Sequence, residues 1–207
     1  MAESSVSVLG RLRDRGATEA LIIEAGERLL LRDGMGGVNV QTVAAEAGCD
    51  RKLVYRYFDG ADGVVEKVAA RAHAALARDL DAIPPVEAAS LRAFARESLL
   101  AWLQALRDNA VVLRLMAWAV VDDTEQMRRL EADRSAVLQA WMRQRRPRLK
   151  APPAGDVTAF NAALLAAVQH LVLAGQGRGA FGGVPLDEAG WLRIEAALDA
   201  LLTAFPD

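Results

Sequence analysis

The sequence predicts an all-α protein: a three-helix head at the N-terminus, a larger helical body behind it, and about nine helices in all. Three observations carry this. Alanine, leucine and arginine, all good helix formers, dominate the chain, and β-branched or aromatic runs are few. Apolar residues recur at three- and four-residue spacing through most of its length. The stretch 39–58 reads as two short helices joined by a glycine turn, and everything else can be placed around it.

With 207 residues, 53% of them hydrophobic, the chain can bury a substantial core. A net charge of -2 argues against wholesale coating of nucleic acid but leaves room for a local basic surface. The one cysteine cannot form an internal disulfide, which suits a reducing cytoplasm. Residues 1–10 lack the basic start and apolar run of a signal peptide. The longest apolar stretch, 162–174, is interrupted by Gln169 and His170 and reads as too short to span a bilayer. A soluble, cytoplasmic protein with no membrane partner is expected.

Taken in order, residues 1–10 are small and polar and are expected to be disordered. Arg11, Arg13 and Arg15 form a basic arm that either stays solvated or touches phosphates beside the head. Thr18 caps a first helix, 18–32, whose inward stripe is Leu21, Ile22, Ala25, Leu29 and Leu30. Gly34, Gly36 and Gly37 form a loose link to Asn39. Asn39 caps the second helix, Val40, Val43, Ala44 and Ala47 line one face of it, and Gly48 closes it. Asp50 caps the third helix, which carries Arg51, Lys52, Tyr55, Arg56 and Tyr57 outward and turns Val54 and Phe58 inward. A small-residue helix, a glycine turn and a basic, aromatic helix describe a helix-turn-helix, whose second helix enters the DNA major groove.

Asp62 then caps a long helix to about residue 81, ended by Pro84 and Pro85, with His73 facing solvent on it. A fifth helix over 86–107 has Leu91, Phe94, Leu99, Trp102, Leu103 and Leu106 as apolar positions. The short helix 110–121 is apolar enough to be buried. A seventh helix, ending before Pro147, buries Met127, Leu130, Val137, Leu138 and Trp141. Its opposite face, with Arg128, Arg129, Glu131, Asp133, Arg134 and Arg143, reads as solvated. Residues 150–155 form a loop, Asp156 caps an eighth helix to about residue 174, 175–185 is a flexible glycine-rich connection, and a ninth helix covers 186–205. The division expected is a DNA-binding domain over 1–60 and a ligand-binding and dimerisation domain over 61–207.

The head resembles the tetracycline-repressor (TetR) family of regulators: Val43-Ala44, Ala47-Gly48 and Tyr55-x-x-Phe58 stand where that family's pattern has them. The resemblance covers roughly the first third of the chain with specific motifs and the rest by helix count. It implies DNA contacts at Asn39, Gln41, Arg51, Lys52, Leu53, Tyr55 and Tyr57. Chemistry agrees for several of them: Arg51 or Lys52 can donate to guanine O6 and N7, Gln41 to a phosphate, and the tyrosines to phosphates or a thymine methyl. Leu53 replaces a small hydroxyl residue, Lys52 a glycine, and Ala61 a phosphate-holding lysine, so the site read should be an unusual one. Cys49, in the turn, is expected to pack as a small hydrophobe.

The eighth helix is apolar almost all round, and the ninth repeats Trp191, Ile194, Leu198, Leu201 and Phe205 at helix-seam spacing. As the resemblance implies, these last two helices should pair with a second copy, and a two-fold dimer suits a palindromic double-stranded DNA operator. Trp102, Met116, Trp118, Met127, Trp141 and His170, with Gln169 and Asn161, could line a chamber for a small, largely apolar effector. No other cofactor and no metal are expected. The function expected is therefore a ligand-responsive homodimeric repressor. Its competitor is a ligand-binding or protein-interaction dimer whose head no longer reads DNA. An enzyme is not expected, because no nucleophile–base pair or metal-ligand spacing stands out around His73, His170 and Cys49.

Overall fold

The computed structural model describes the backbone of residues 3–85, 88–146 and 156–203, and the side chains within those ranges from residue 15 onward. Among the described residues there are nine α-helices: α1 (Glu3–Asp33), α2 (Val40–Ala47), α3 (Arg51–Phe58), α4 (Ala61–Ala82), α5 (Leu91–Arg107), α6 (Ala110–Ala119), α7 (Glu125–Arg145), α8 (Val157–Arg178) and α9 (Glu188–Leu202). A 3-10 turn, Met35–Gly37, precedes α2, and a two-stranded antiparallel hairpin, β1 (Ala180–Phe181) and β2 (Val184–Pro185), joins α8 to α9. The all-α expectation holds, with the hairpin as its one addition.

The chain divides into two compact units, residues 1–72 with 114–130 and residues 73–113 with 131–207. In the first, α1 packs on α2 and α2 on α3. Ile22, Ala25, Leu29 and Leu30 of α1 are buried there, as are Val43, Ala44, Val54 and Phe58, and Val64, Val65, Val68 and Ala69 of α4. Leu21 does not join them: it is 51% exposed, because its neighbour Ile22 takes the inward position on the helix. The helix also begins well before Thr18, at Glu3, where a disordered tail was expected. The side chains of Arg11 and Arg13 lie outside the described residues.

In the second unit, α5 is the central element and packs against α8 and α9. Its Leu91, Phe94, Leu99, Trp102, Leu103 and Leu106 are all buried. Ser90, not a residue near 86, caps it: the Ser90 hydroxyl accepts from the Ala93 N–H at 3.1 Å. The end of α4 is tied down by α7. The Trp141 indole N–H donates to the Leu80 carbonyl at 2.8 Å, and the Arg145 guanidinium donates to the Ile83 carbonyl, filling acceptors that a helix C-terminus leaves open.

Two expected solvent-facing residues are buried here. His73 is 7% exposed, near Asp133, Arg134 and Glu131, and burial pulls its pKa below the ordinary histidine value. Arg134 is 4% exposed, pairs with Glu131, and lies 5.5 Å from the Trp102 ring centroid. A guanidinium can be buried when a carboxylate and an aromatic face share its charge.

The eighth helix runs through the glycines at 175 and 177 to Arg178, so the flexible connection shrinks to the hairpin. That hairpin turns at Gly182 and Gly183, both at positive φ (57° and 79°), as a two-residue connection requires. At 22 residues α8 is long and apolar enough to cross a membrane by length and composition, contrary to the sequence expectation. In the fold, its Leu164, Val168, Val172 and Ala174 are buried. On α9, Trp191, Ile194 and Leu198 face inward while Leu192 and Leu201 stand 64% and 55% exposed. Three of the residues expected at a seam between copies are thus core of their own chain. Phe205, residues 86–87 and the loop 150–155 lie outside the described residues.

Candidate nucleic-acid interface

Local chemistry builds the head's two short helices. The Asn39 side-chain oxygen accepts from the N–H groups of Gln41 and Thr42, each at 3.0 Å. In return the Thr42 hydroxyl accepts from the Asn39 N–H at 3.1 Å and donates to the Gly37 carbonyl at 2.6 Å. This reciprocal cap fixes where α2 begins. Gly48 ends it at φ 65°, a left-handed conformation that other residues adopt only under strain, and the Cys49 N–H reaches back to the Ala44 carbonyl at 3.0 Å. Asp50 then caps α3 by accepting from the Lys52 N–H at 2.8 Å.

With Val54 and Phe58 buried, α3 can present only its other side chains. Arg51, Lys52, Tyr55 and Arg56 are exposed, Tyr55 at 60%. An open depression of about 650 Å³ between α2 and α3 gathers Gln41, Arg51, Lys52 and Tyr55, together with Ala44, Ala45, Cys49 and Asp50. Asn39 is exposed but its oxygen is engaged in the cap; Leu53 and Tyr57 are half-buried. Cys49 is half-buried at the edge of this depression, and its thiol is pushed up, first by burial and then by Asp50.

Glu46 of α2 accepts from Arg28 at 2.8 Å and Arg32 at 3.2 Å, tying α2 to α1 and holding its carboxyl below the usual range. Arg51 and Lys52 make no ion pair among the described residues. Both sit in the first turn of an eight-residue helix, where positive charge opposes the helix dipole. The Asp50 cap is the acidic residue beside them at this helix end. An arrangement that costs the helix stability, and leaves two cations at the edge of an open depression, suits a polyanion.

One neighbour of this surface was not legible beforehand. The guanidinium of Arg15, on α1, lies 5.3 Å from the Tyr57 ring centroid. Only the position of Arg15 within a basic run pointed towards it.

The expected chamber residues are placed less uniformly. Trp102 and Trp141 are buried in the second unit, Met116 and Met127 in the first. Trp118, half-buried, donates its indole N–H to Asp122 at 3.1 Å. His170 is exposed, edge-on to Phe181 at 5.0 Å. Trp141 borders a groove of about 320 Å³ with Ala77, Asp81, Asp133, Ala136, Val137, Ala140 and Gln144. Asn161 borders a small cavity of about 20 Å³ with Ser98, Leu99 and Met142. Among the described residues no group of three or more His, Cys, Asp or Glu side chains could hold a metal ion.

The capped helix-turn-helix with its outward basic helix has the architecture of a DNA-binding head. Residues 22–68 match the family model for bacterial regulatory proteins of the tetR family, so the head is a TetR-type DNA-binding domain. The fold of the whole chain is likewise that of TetR-family regulators. It superposes on a Rhodococcus protein assigned to that family with a TM-score of 0.65 at 19% identity, covering 90% of this chain and 99% of the other. A TetR-family regulator from Marinobacter aquaeolei gives 0.58 at 19% identity over 95% and 99%. The regulator PfmR from Thermus thermophilus gives 0.57 at 16% identity over 90% and 95%. Comparison with curated proteins gives no match.

Proposed function

We propose that this chain is a homodimeric, effector-responsive transcriptional repressor that reads a palindromic operator in the cytoplasm. The observation that carries the reading is the cluster of Gln41, Arg51, Lys52 and Tyr55 around one open depression, with the two cations outside any ion pair among the described residues. Lys52 and Arg51 serve base edges and phosphates at the start of α3, and Tyr55 lays an exposed ring against sugar or a thymine methyl. Asn39 and Gln41 meet the backbone from the start of α2, and Leu53 and Tyr57 bound the contact from its flanks.

The dimer is supported by what α8 and α9 leave uncovered. Only 22% of the most apolar stretch of α8 is buried, and Leu192 and Leu201 of α9 are exposed. A second copy laying the same two helices against them would remove that surface from water and space two heads for a two-fold site. Effector binding is supported by the second unit, where the Trp102 indole N–H and the Ser98 hydroxyl are buried with no hydrogen-bond partner among the described residues. Such donors suit a small, mostly apolar molecule carrying an acceptor.

The test is binding of the purified protein to DNA flanking its own gene, titrated against unrelated duplex over a salt series. Tight binding to one fragment that survives competitor, with a two-fold footprint, is expected. Equal weak binding to all fragments, across the whole genome as well as this region, would sink the operator-reading function.

A further inference from the structure

Two guanidinium groups converge on one ring at the end of the reading helix. Arg15 Cζ from α1 stands 5.3 Å from the Tyr57 ring centroid, and Arg56 Cζ from α3 stands 5.8 Å from it. The ring is half-buried and both arginines are exposed, so Tyr57 forms a floor and the guanidinium groups stand outward on it. Arg56 lies one turn beyond Lys52 on the exposed face of α3 and continues its cationic row. Arg15 comes from a different helix, and its Nε donates to Glu19 at 2.7 Å.

The charges do not balance locally. Two cations share the ring, and among the described residues Glu19 is the one carboxylate paired with either of them. That pair is surface-exposed, with 60% of the Arg15 side chain and 34% of Glu19 open to solvent, so it is weak and readily exchanged. Stacking on an aromatic face holds a guanidinium plane in place while leaving its N–H edge free to donate. Two such edges, pre-oriented beside a helix directed at DNA, match the oxygens of a backbone phosphate better than a base edge, because a phosphate accepts from several donors at once.

We propose that Arg15, Arg56 and Tyr57 form a phosphate clamp flanking the reading helix: Tyr57 is the stacking platform that positions both guanidinium groups, and Arg15 exchanges Glu19 for a DNA phosphate on binding. The clamp rests on the DNA-binding reading above. It gives Tyr57 a positioning role in place of a direct contact, and it makes Glu19 a competitor of the DNA.

Duplexes are selected from a random pool by the wild-type protein, and the tightest is titrated by fluorescence anisotropy over a salt series with the wild type, Arg15→Ala, Glu19→Gln, Tyr57→Phe and Tyr57→Leu. Arg15→Ala should weaken binding about tenfold and reduce the slope of log K against log salt by about 0.9, one phosphate's share. Tyr57→Phe keeps the ring and should bind as the wild type does, whereas Tyr57→Leu, which frees both guanidinium groups, should lose at least as much as Arg15→Ala. Glu19→Gln should tighten binding. Affinity and slope unchanged in Arg15→Ala, on a duplex the wild type binds, overturns the clamp and leaves DNA reading intact. Equal losses in Tyr57→Phe and Tyr57→Leu overturn the platform role, and binding no tighter in Glu19→Gln overturns the exchange. A wild type that selects no duplex brings down DNA reading and clamp together. Arg15 is exposed and Tyr57→Phe keeps the packing, so these arms hold even if Tyr57→Leu unfolds.

Discussion

Helices α3 and α8 solve opposite problems. The reading helix is eight residues long, buries Val54 and Phe58 against its own unit, and shows solvent almost nothing but polar and charged side chains. Apart from the exposed ring of Tyr55 and the half-buried Leu53 and Tyr57, nothing apolar on it waits for cover, and what it lacks is a counter-charge. The eighth helix is 22 residues long, apolar on every side, and buries only Leu164, Val168, Val172 and Ala174 within its own chain. What it lacks is a neighbour. The first deficit calls for a polyanion and the second for another apolar surface, so a single chain advertises two different partners through two different unmet interactions.

The comparison can be broken most severely at the body's core. Trp102→Ala should lower the unfolding free energy by about 3–5 kcal/mol, read by urea denaturation, whereas Val54→Ala beneath the reading helix should cost about 2 kcal/mol. Equal losses would mean that the head is the more tightly packed of the two per atom removed. Next comes the uncovered face: Leu192→Glu combined with Leu201→Glu should turn a dimer into a folded monomer in sedimentation, because both side chains are already exposed within the chain. An unchanged mass would place the seam elsewhere.

On the reading helix, Lys52→Ala or Arg51→Ala should cost about 1–3 kcal/mol of DNA affinity with melting unaltered. A shift in melting instead would make these residues structural. Asn39→Ala removes the reciprocal cap and should destabilise the head by about 1 kcal/mol in thermal unfolding. A loss confined to DNA affinity would argue that the amide works at the interface and not as a cap.

The smallest effect concerns His73, whose pKa is lowered by burial, with Asp133 and Glu131 partly opposing and Arg134 adding to the shift. The unfolded chain then binds the proton more readily than the folded one. Stability from the neutral, buried ring is fully present above the ordinary histidine value and is lost progressively as pH falls below it. His73→Gln should flatten that decline as pH falls below about 6.5. A variant as acid-sensitive as the wild type would assign the decline to other groups.

Legibility tracks the range of the interaction. The caps at Asn39 and Asp50 and the left-handed Gly48 are decided within a few residues, and each stands where the sequence placed it. The basic side chains of α3 were legible for the same reason, once Val54 and Phe58 were read as its inner face. His73 and Arg134 were not, because helical spacing ranks the faces of one helix but does not say which neighbour closes over them. Leu21 failed by the same logic in reverse: its type is apolar, but Ile22 and Ala25 already fill the inner stripe. The Arg15–Tyr57 contact joins residues far apart in the chain, and no local pattern marks it.

By itself the sequence determined the helical class, the position and capping of the helix-turn-helix, the outward basic row on α3 and the apolar character of α8. All of these follow from backbone propensity, side-chain hydrogen bonds within one turn, and the 3.6-residue period. Only the tertiary structure decided that His73 and Arg134 are buried beside Glu131, that Trp191, Ile194 and Leu198 belong to their own chain's core, and that Arg15 rests on Tyr57. The physical reason is that burial and charge pairing belong to pairs of elements, and which elements meet is settled by packing the whole chain.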